Sequence, residues 1–236
     1  FILYSKKRYS GLMYEAGRES VAGKCHKEDH KGIIMKRRDN APVVKYIFGK
    51  VFSMIVYEKR QIEDIHHFIR GTLRAMINGQ LPRELMVITK KWNPNVKVPP
   101  AHAILAQRMC DRAPGNGPNS NDRIRHVYVV PRPSRKRQRG DHVEDPQFAE
   151  ENGLQLDYLY YIERQIMKPV LELLGLFGSA NTSRIRMLKE RNLEDIDELV
   201  SSERQARAYE RVFAPLIREI TASRMGLAPL SYFQNV

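Results

Sequence analysis

The sequence predicts an α+β fold, mostly helical with small antiparallel β elements. Three runs carry apolar residues at helical spacing: 42–56, 62–77 and 157–174. Between them lie short segments of alternating character, each bounded by a basic turn or by glycine and proline. A hydrophobic content of 42% over 236 residues supports one large domain or two small ones.

The elements follow in order. Residues 1–4 read as a strand, Lys6-Lys7-Arg8 as a turn, and 9–14 as a second strand. Residues 15–30 are polar, hold Gly17 and Gly23, and read as a connection; Ile33-Ile34-Met35 reads as a short strand. A helix is expected from Pro42 to about Val56, with Asp39 or Asn40 as cap and Pro42 in the first turn, where its missing N–H costs least. A second helix, 62–77, stops at Asn78-Gly79. Residues 84–90 alternate as a strand, and 92–100, with Pro94, Pro99 and Pro100, are loop. A helix over 101–112 is closed by Ala113-Pro114-Gly115-Asn116-Gly117-Pro118, and 124–130 is a strand. PRPSRKRQRG (131–140) is a basic, proline-bearing loop. Helices over 146–152 and 157–174 follow, the second kinked or broken by Pro169. Residues 182–224 are helical with mixed charge, and no internal repeat is visible.

The formal charge of +13 is unevenly spread. Residues 1–140 carry 29 Lys and Arg against 11 Asp and Glu, a net of +18; residues 141–236 carry 11 against 16, a net of −5. Such a basic region costs self-repulsion unless a polyanion uses it, so nucleic acid is the expected partner and the acidic end is scaffold. A membrane partner is not expected, because the sequence holds no long apolar span, lipidation signal or strong basic amphipathic helix. Cys25 and Cys110 match no metal spacing and suggest no disulfide framework, so a reducing, intracellular setting is expected. No signal peptide is visible, and the first residue, Phe1, falls in strand-like sequence, as expected of a piece of a longer protein.

Five stretches carry candidate chemistry. Lys6-Lys7-Arg8-Tyr9 puts paired cations beside an aromatic, which suits the edge of a duplex. In KGIIMKRRDNAPVVK (31–45), the cluster Lys36-Arg37-Arg38 precedes a helix N-terminus, where amides and dipole favour an anion. Val87-Ile88-Thr89-Lys90-Lys91 ends a strand in a hydroxyl and two lysines. In 101–125, Arg108 and Arg112 share a helix face, and Asp122-Arg123 is expected to form a local ion pair. In 157–174, Tyr161, Gln165 and Lys168 are the residues of that helix least committed to core. Each stretch also has a plain reading as solvated turn, strand end or core. His102, without a second ligand at metal spacing, reads as a cap or a satisfied polar residue. Catalytic patterns are missing: there is no phosphate loop ending in Lys-Ser/Thr, no Ser-His-Asp or Cys-His spacing, and no carboxylate pair suited to two metal ions.

In this order the stretches resemble the C-terminal portion of a family B DNA polymerase, most similar to the delta type and its relatives in large DNA viruses. The resemblance rests on KKRY (6–9) with Gly11-Leu12, KG…RRDN.P (31–42), VITK (87–90), AH…A.RM..R.PG..P…DR (101–123), EDP.F..EN (144–152) and DY.YY…Q..KP (157–169). It covers residues 1 to about 177 and fades beyond. It implies that residues 1–22 end the polymerase palm and 23–236 are the thumb, which grips primer–template duplex. By the resemblance Lys6 and Lys7 track the minor groove with Arg8 and Tyr9 in support. Lys31, Arg37, Arg38, Lys90, Arg108 and Arg123 lie near the DNA backbone or brace it. It further implies a parent enzyme that adds dNTPs using Mg2+ held by palm residues outside this chain, with no catalytic residue within it. A sliding clamp or other processivity factor is a possible partner of the parent, and the nucleus or a viral replication site its place of action. Where the family has glycine before Asp-Arg, this chain has Asn121, which tolerates a left-handed conformation. No cysteine clusters follow residue 177, unlike the tail of cellular delta-type enzymes. The final APLSYFQNV is compatible with a docking tail or a frayed terminus. The rival reading is a non-catalytic nucleic-acid-binding protein with a polymerase-like thumb.

Overall fold

In a computed structural model of the chain, residues 2–5, 7–13, 27–37, 39–130, 139–177 and 196–224 are described. The chain divides into two compact units, one holding 1–37, 45–73 and 166–236, the other 38–44 and 74–165.

The first three strands, β1 (Ile2–Ser5), β2 (Arg8–Met13) and β3 (Lys27–Lys31), form one antiparallel sheet in that order. β3 replaces part of the expected connection. Its sequence, KEDHK, has no apolar alternation; backbone pairing with β2 from Tyr9↔Lys31 to Met13↔Lys27 makes it a strand. The apolar triplet after it is not the expected strand. Gly32, at φ +66°, turns the chain out of β3, and Ile34–Lys36 is a single 3₁₀ turn beside the buried Ile33.

Helix α1 (Pro42–Val56) begins at the proline, as expected, but Ala41 stands immediately before it rather than Asp39 or Asn40. The Ala41 carbonyl accepts the Val44 N–H at 3.0 Å. Its Val43, Val44, Ile47, Phe48, Val51 and Phe52 are buried. Helix α2 (Ile62–Ile77) buries Ile65, Ile69, Leu73 and Met76, and has Glu63 and Asp64 at its positive end. It ends at Gly79, φ +70°, with the Gly79 and Gln80 N–H groups donating back to Met76 and Ala75.

The second unit holds a sheet of β4 (Ile88–Lys91), β5 (Arg123–Tyr128) and β6 (Val143–Glu144), all antiparallel. β4 is shorter than the expected strand because residues 83–86 close a 3₁₀ turn, with Leu85 N–H on Pro82 O and Val87 N–H on Glu84 O. Helix α3 (Ala101–Arg112) packs Ala103, Leu105 and Ala106 with Trp92, Ile124 and Val143. The basic loop at 131–138 lies outside the described residues; 139–142 is a 3₁₀ turn leading into β6. Helix α4 (Pro146–Glu151) starts on Asp145, whose carboxylate accepts the Gln147 and Phe148 amides at 3.0 Å.

The expected long helix is interrupted. α5 (Tyr158–Tyr160) is capped by Asp157, Tyr161–Ile166 forms a π-helical turn, and α6 is Met167–Gly175. Pro169 has no N–H for the carbonyl four residues back, and its ring crowds that carbonyl; the wider turn just ahead of it accommodates both. The same arrangement recurs where α7 (Ile196–Ala208) passes through a π turn at Tyr209–Phe213 into α8 (Ala214–Arg224), which carries Pro215 at its start. The part of the expected 182–224 helix before 196 lies outside the described residues.

Candidate nucleic-acid interface

The β1–β2–β3 sheet gathers one set of cations. Lys7, between β1 and β2, sits at φ +65°, a left-handed conformation that costs a non-glycine residue energy. The Lys31–Gly32 backbone runs against it: a Cβ on Gly32 would lie 2.5 Å from the Lys7 carbonyl oxygen. Only glycine allows this approach. Lys7 and Lys31 are both exposed, and Tyr9 pairs with Lys31 across the ladder. The residues between them face inward contacts. Arg8 Nη2 donates to Glu172 Oε2 on α6 at 2.6 Å, and the Tyr9 hydroxyl donates to Asp29 Oδ2 at 2.7 Å. That bond to Asp29 raises the Tyr9 pKa above its ordinary value. Beneath them the buried Ser10 hydroxyl and His30 Nδ1 bond at 3.1 Å, and His30 stands edge-on to Phe52. Lys6 and Arg38 lie outside the described residues; Arg37 is exposed and extended, φ −79° and ψ 142°.

A second set lies on the β4–β5 ladder, where Lys91 pairs with Arg123, Lys90 with Ile124, Thr89 with Arg125 and Ile88 with His126. Alternation puts Thr89, Lys91, Arg123 and Arg125 on one face and Ile88, Lys90, Ile124 and His126 on the other. The sequence reading chose Lys90, which lies on the buried face; the exposed face instead carries Lys91 and Arg125 beside Arg123. Period-two counting along 87–91 held the signal for Lys91, but Arg125 needed the register. Like charges directly opposite on a strand pair repel, so Lys91 against Arg123 is a cost that a shared polyanion removes. In the turn before β5 Asn121 takes a left-handed conformation, φ +73°. The Asn121 amide donates to Trp92 O, and the Trp92 amide to Asp122 O. The expected Asp122–Arg123 ion pair does not form among the described residues; the Asp122 carboxylate accepts the Asn119 amide at 2.8 Å.

Behind the ladder His126 is 1% exposed, stacks on His102 at 5.8 Å and lies near Lys90 and Tyr128. His102 Nε2 bonds to the Lys91 carbonyl oxygen at 3.1 Å. Burial, then His102 and Lys90, push His126 down to about 4, against its hydrogen bond to Ile124 O, which acts the other way. Burial likewise lowers His102. An unfolded histidine takes its proton near pH 6.5, so stability is full above that pH and falls toward pH 4, by about 3 kcal/mol for His126. Urea unfolding at pH 7 and pH 4.5 measures this: the drop in wild type should exceed that in His126→Phe, and equal drops refute it.

Arg108 and Arg112 do share a face, and both are spent inside the protein. Arg108 donates to Val143 O at 2.6 Å and Gly140 O at 3.2 Å and pairs with Glu144 at 3.3 Å. Arg112 grips the buried Glu144 at 3.0 and 2.9 Å and lies over the Phe148 ring. Tyr161 is wholly buried rather than free for a ligand. Its hydroxyl donates to Met86 O at 2.8 Å and accepts the Tyr128 amide at 2.9 Å. Gln165 Oε1 accepts the Ala41 amide at 3.4 Å, while Lys168 is exposed.

Among the described residues no group of three or more His, Cys, Asp or Glu is placed to hold a metal ion, and no helix is long and apolar enough to cross a membrane.

The model of the family described as DNA polymerase family B matches residues 1–176. A DNA polymerase of Acanthamoeba polyphaga mimivirus is 38% identical over 182 residues, covering 75% of this chain and 10% of its own length. That of Pyramimonas orientalis virus is 32% identical over 251 aligned residues, covering 100% of this chain and 20% of its own length. The DNA polymerase delta catalytic subunit of Candida albicans is 30% identical over 187 residues, covering 78% and 17%. The chain thus spans a tenth to a fifth of these relatives, and the match to the Pyramimonas virus protein carries on through the residues beyond the family match. Three quarters of the chain, including both sets of cations, fall within that match, and the chain belongs to DNA polymerase family B.

Proposed function

We propose that this chain is the palm end and thumb of a replicative DNA-directed DNA polymerase and grips primer–template duplex through minor-groove and phosphate contacts. The observation that carries this reading is the arrangement at β2: Lys7 and Lys31 both exposed where the Lys31–Gly32 backbone meets the turn, with Arg8 and Tyr9 anchored to Glu172 and Asp29. Two cations held on a fixed backbone meet phosphates or groove acceptors at lower entropic cost than two free lysines. Minor-groove acceptors are common to A·T and T·A pairs, so such contacts follow duplex shape without reading sequence. A copying enzyme needs that indifference. Residues 1–22 belong to the palm in this reading, and β3 goes with them because it completes their sheet. Residues beyond are thumb, with Lys91, Arg123 and Arg125 a second phosphate-facing group. In the parent enzyme Mg2+ and dNTP would be bound by palm residues other than those described, and a sliding clamp or similar factor would hold the enzyme on DNA.

Binding of the chain to primer–template, blunt duplex and single-stranded DNA across a salt series tests this. Duplex preference, a steep salt slope and indifference to sequence are expected. Binding to single strands as tight as or tighter than to duplex refutes the grip.

A further inference from the structure

We infer that Glu172 is a positioning residue for the lysine turn, resting on the duplex-grip reading above. Three observations meet there. Lys7 is held in a left-handed conformation that a lysine does not adopt by preference, so its surroundings must fix it. The peptide that follows is pressed by Gly32, whose added Cβ would meet the Lys7 carbonyl oxygen at 2.5 Å and Arg8 Cγ at 3.1 Å. Arg8 is then tied, 164 residues away in sequence, to Glu172 at 2.6 Å. Tyr9, the next residue of β2, is bonded in turn to Asp29 on β3. Arg8 thus acts as a lever: its guanidinium is clamped on α6 while its backbone carries Lys7.

The inference opposes simple charge counting. Glu172 is an anion beside cations read as a DNA grip. Removing a negative charge from such a surface ordinarily tightens binding to a polyanion. If Glu172 positions the turn, its loss loosens binding instead.

The test uses the whole chain, a labelled primer–template duplex, and three variants: Glu172→Gln, Glu172→Arg, and the swap Arg8→Glu with Glu172→Arg. Expected are a loss of duplex affinity in Glu172→Gln of up to about five-fold, the scale of a partly exposed ion pair, and a larger loss in Glu172→Arg. The swap, which has the wild-type net charge, should recover affinity relative to Glu172→Arg. Hydrogen exchange at residues 7–9 should quicken in Glu172→Gln at an unchanged melting temperature, a change that a purely electrostatic role would not produce. Affinity equal to or tighter than wild type in Glu172→Gln, or unchanged exchange at 7–9, overturns the inference. Wild type that prefers single strands overturns the duplex grip instead, so the two failures are distinct.

Discussion

Tyr161→Phe is expected to destabilise the second unit by about 3 kcal/mol. The reason lies in the ladder. β4 and β5 pair Ile88 with His126, so two residues further along the same register would pair Met86 with Tyr128. The 3₁₀ turn at 83–86 takes Met86 out of the strand, and the Tyr161 hydroxyl stands in the gap. It accepts the Tyr128 N–H and donates to the Met86 carbonyl, replacing one ladder bond with two. Phenylalanine keeps the edge-on ring contacts with Tyr128 and Tyr160 but leaves one donor and one acceptor buried. Each such orphan costs about 1–3 kcal/mol, and the space of one lost oxygen is too small to admit a water. Burial raises the Tyr161 pKa well above its ordinary value, so the hydroxyl remains a donor through the alkaline range. Urea denaturation checks this: a shift worth less than about 0.5 kcal/mol means that the backbone groups find other partners.

The double variant Lys7→Ala, Lys31→Ala should lower the salt slope of duplex binding by about two units, and affinity near 0.15 M salt on the order of thirty-fold. Both side chains are exposed and make no ion pair among the described residues, so the loss falls on binding, not folding. Equal melting temperatures would verify that separation. A slope unchanged within half a unit would remove both lysines from the interface. Arg108→Ala makes the contrast, because Arg108 holds Val143, Gly140 and Glu144 together and its loss should show first in stability.

How far these residues were legible from sequence varied with the kind of signal. The bounds of α1 and α2 were readable because proline and Asn-Gly act on the backbone wherever they stand. β3 was hidden because a strand paired through its backbone and carrying KEDHK shows no apolar alternation. The triplet Ile33-Ile34-Met35 misled in the opposite sense: its apolar character reflects a buried turn, and its shape is set by Gly32. At the site, Lys6, Lys7, Arg8 and Tyr9 were found together because they are contiguous. The division into the anchors Arg8 and Tyr9 and the exposed Lys7 depends on Asp29 and Glu172, which no local pattern links to them. Tyr161 resembled a free hydroxyl because one helix face cannot reveal a missing ladder bond elsewhere. Lys91 and Arg125 share a face with Arg123 only once the register is known.

The bond between Arg8 and Glu172 has a consequence for synthesis. The first unit is assembled from three separated stretches, and most of the second, 74–165, is made between them. At about 5–20 residues per second, on the order of ten seconds pass between the appearance of Arg8 and that of its partner. For that time β1, β2 and β3 lie on the nascent chain without α6, while the stretch of the second unit that follows has all its strands and can close. Glu172 follows the end of the second unit by only seven residues, so the bond to Arg8 can close only once that unit and the start of α6 have both been made.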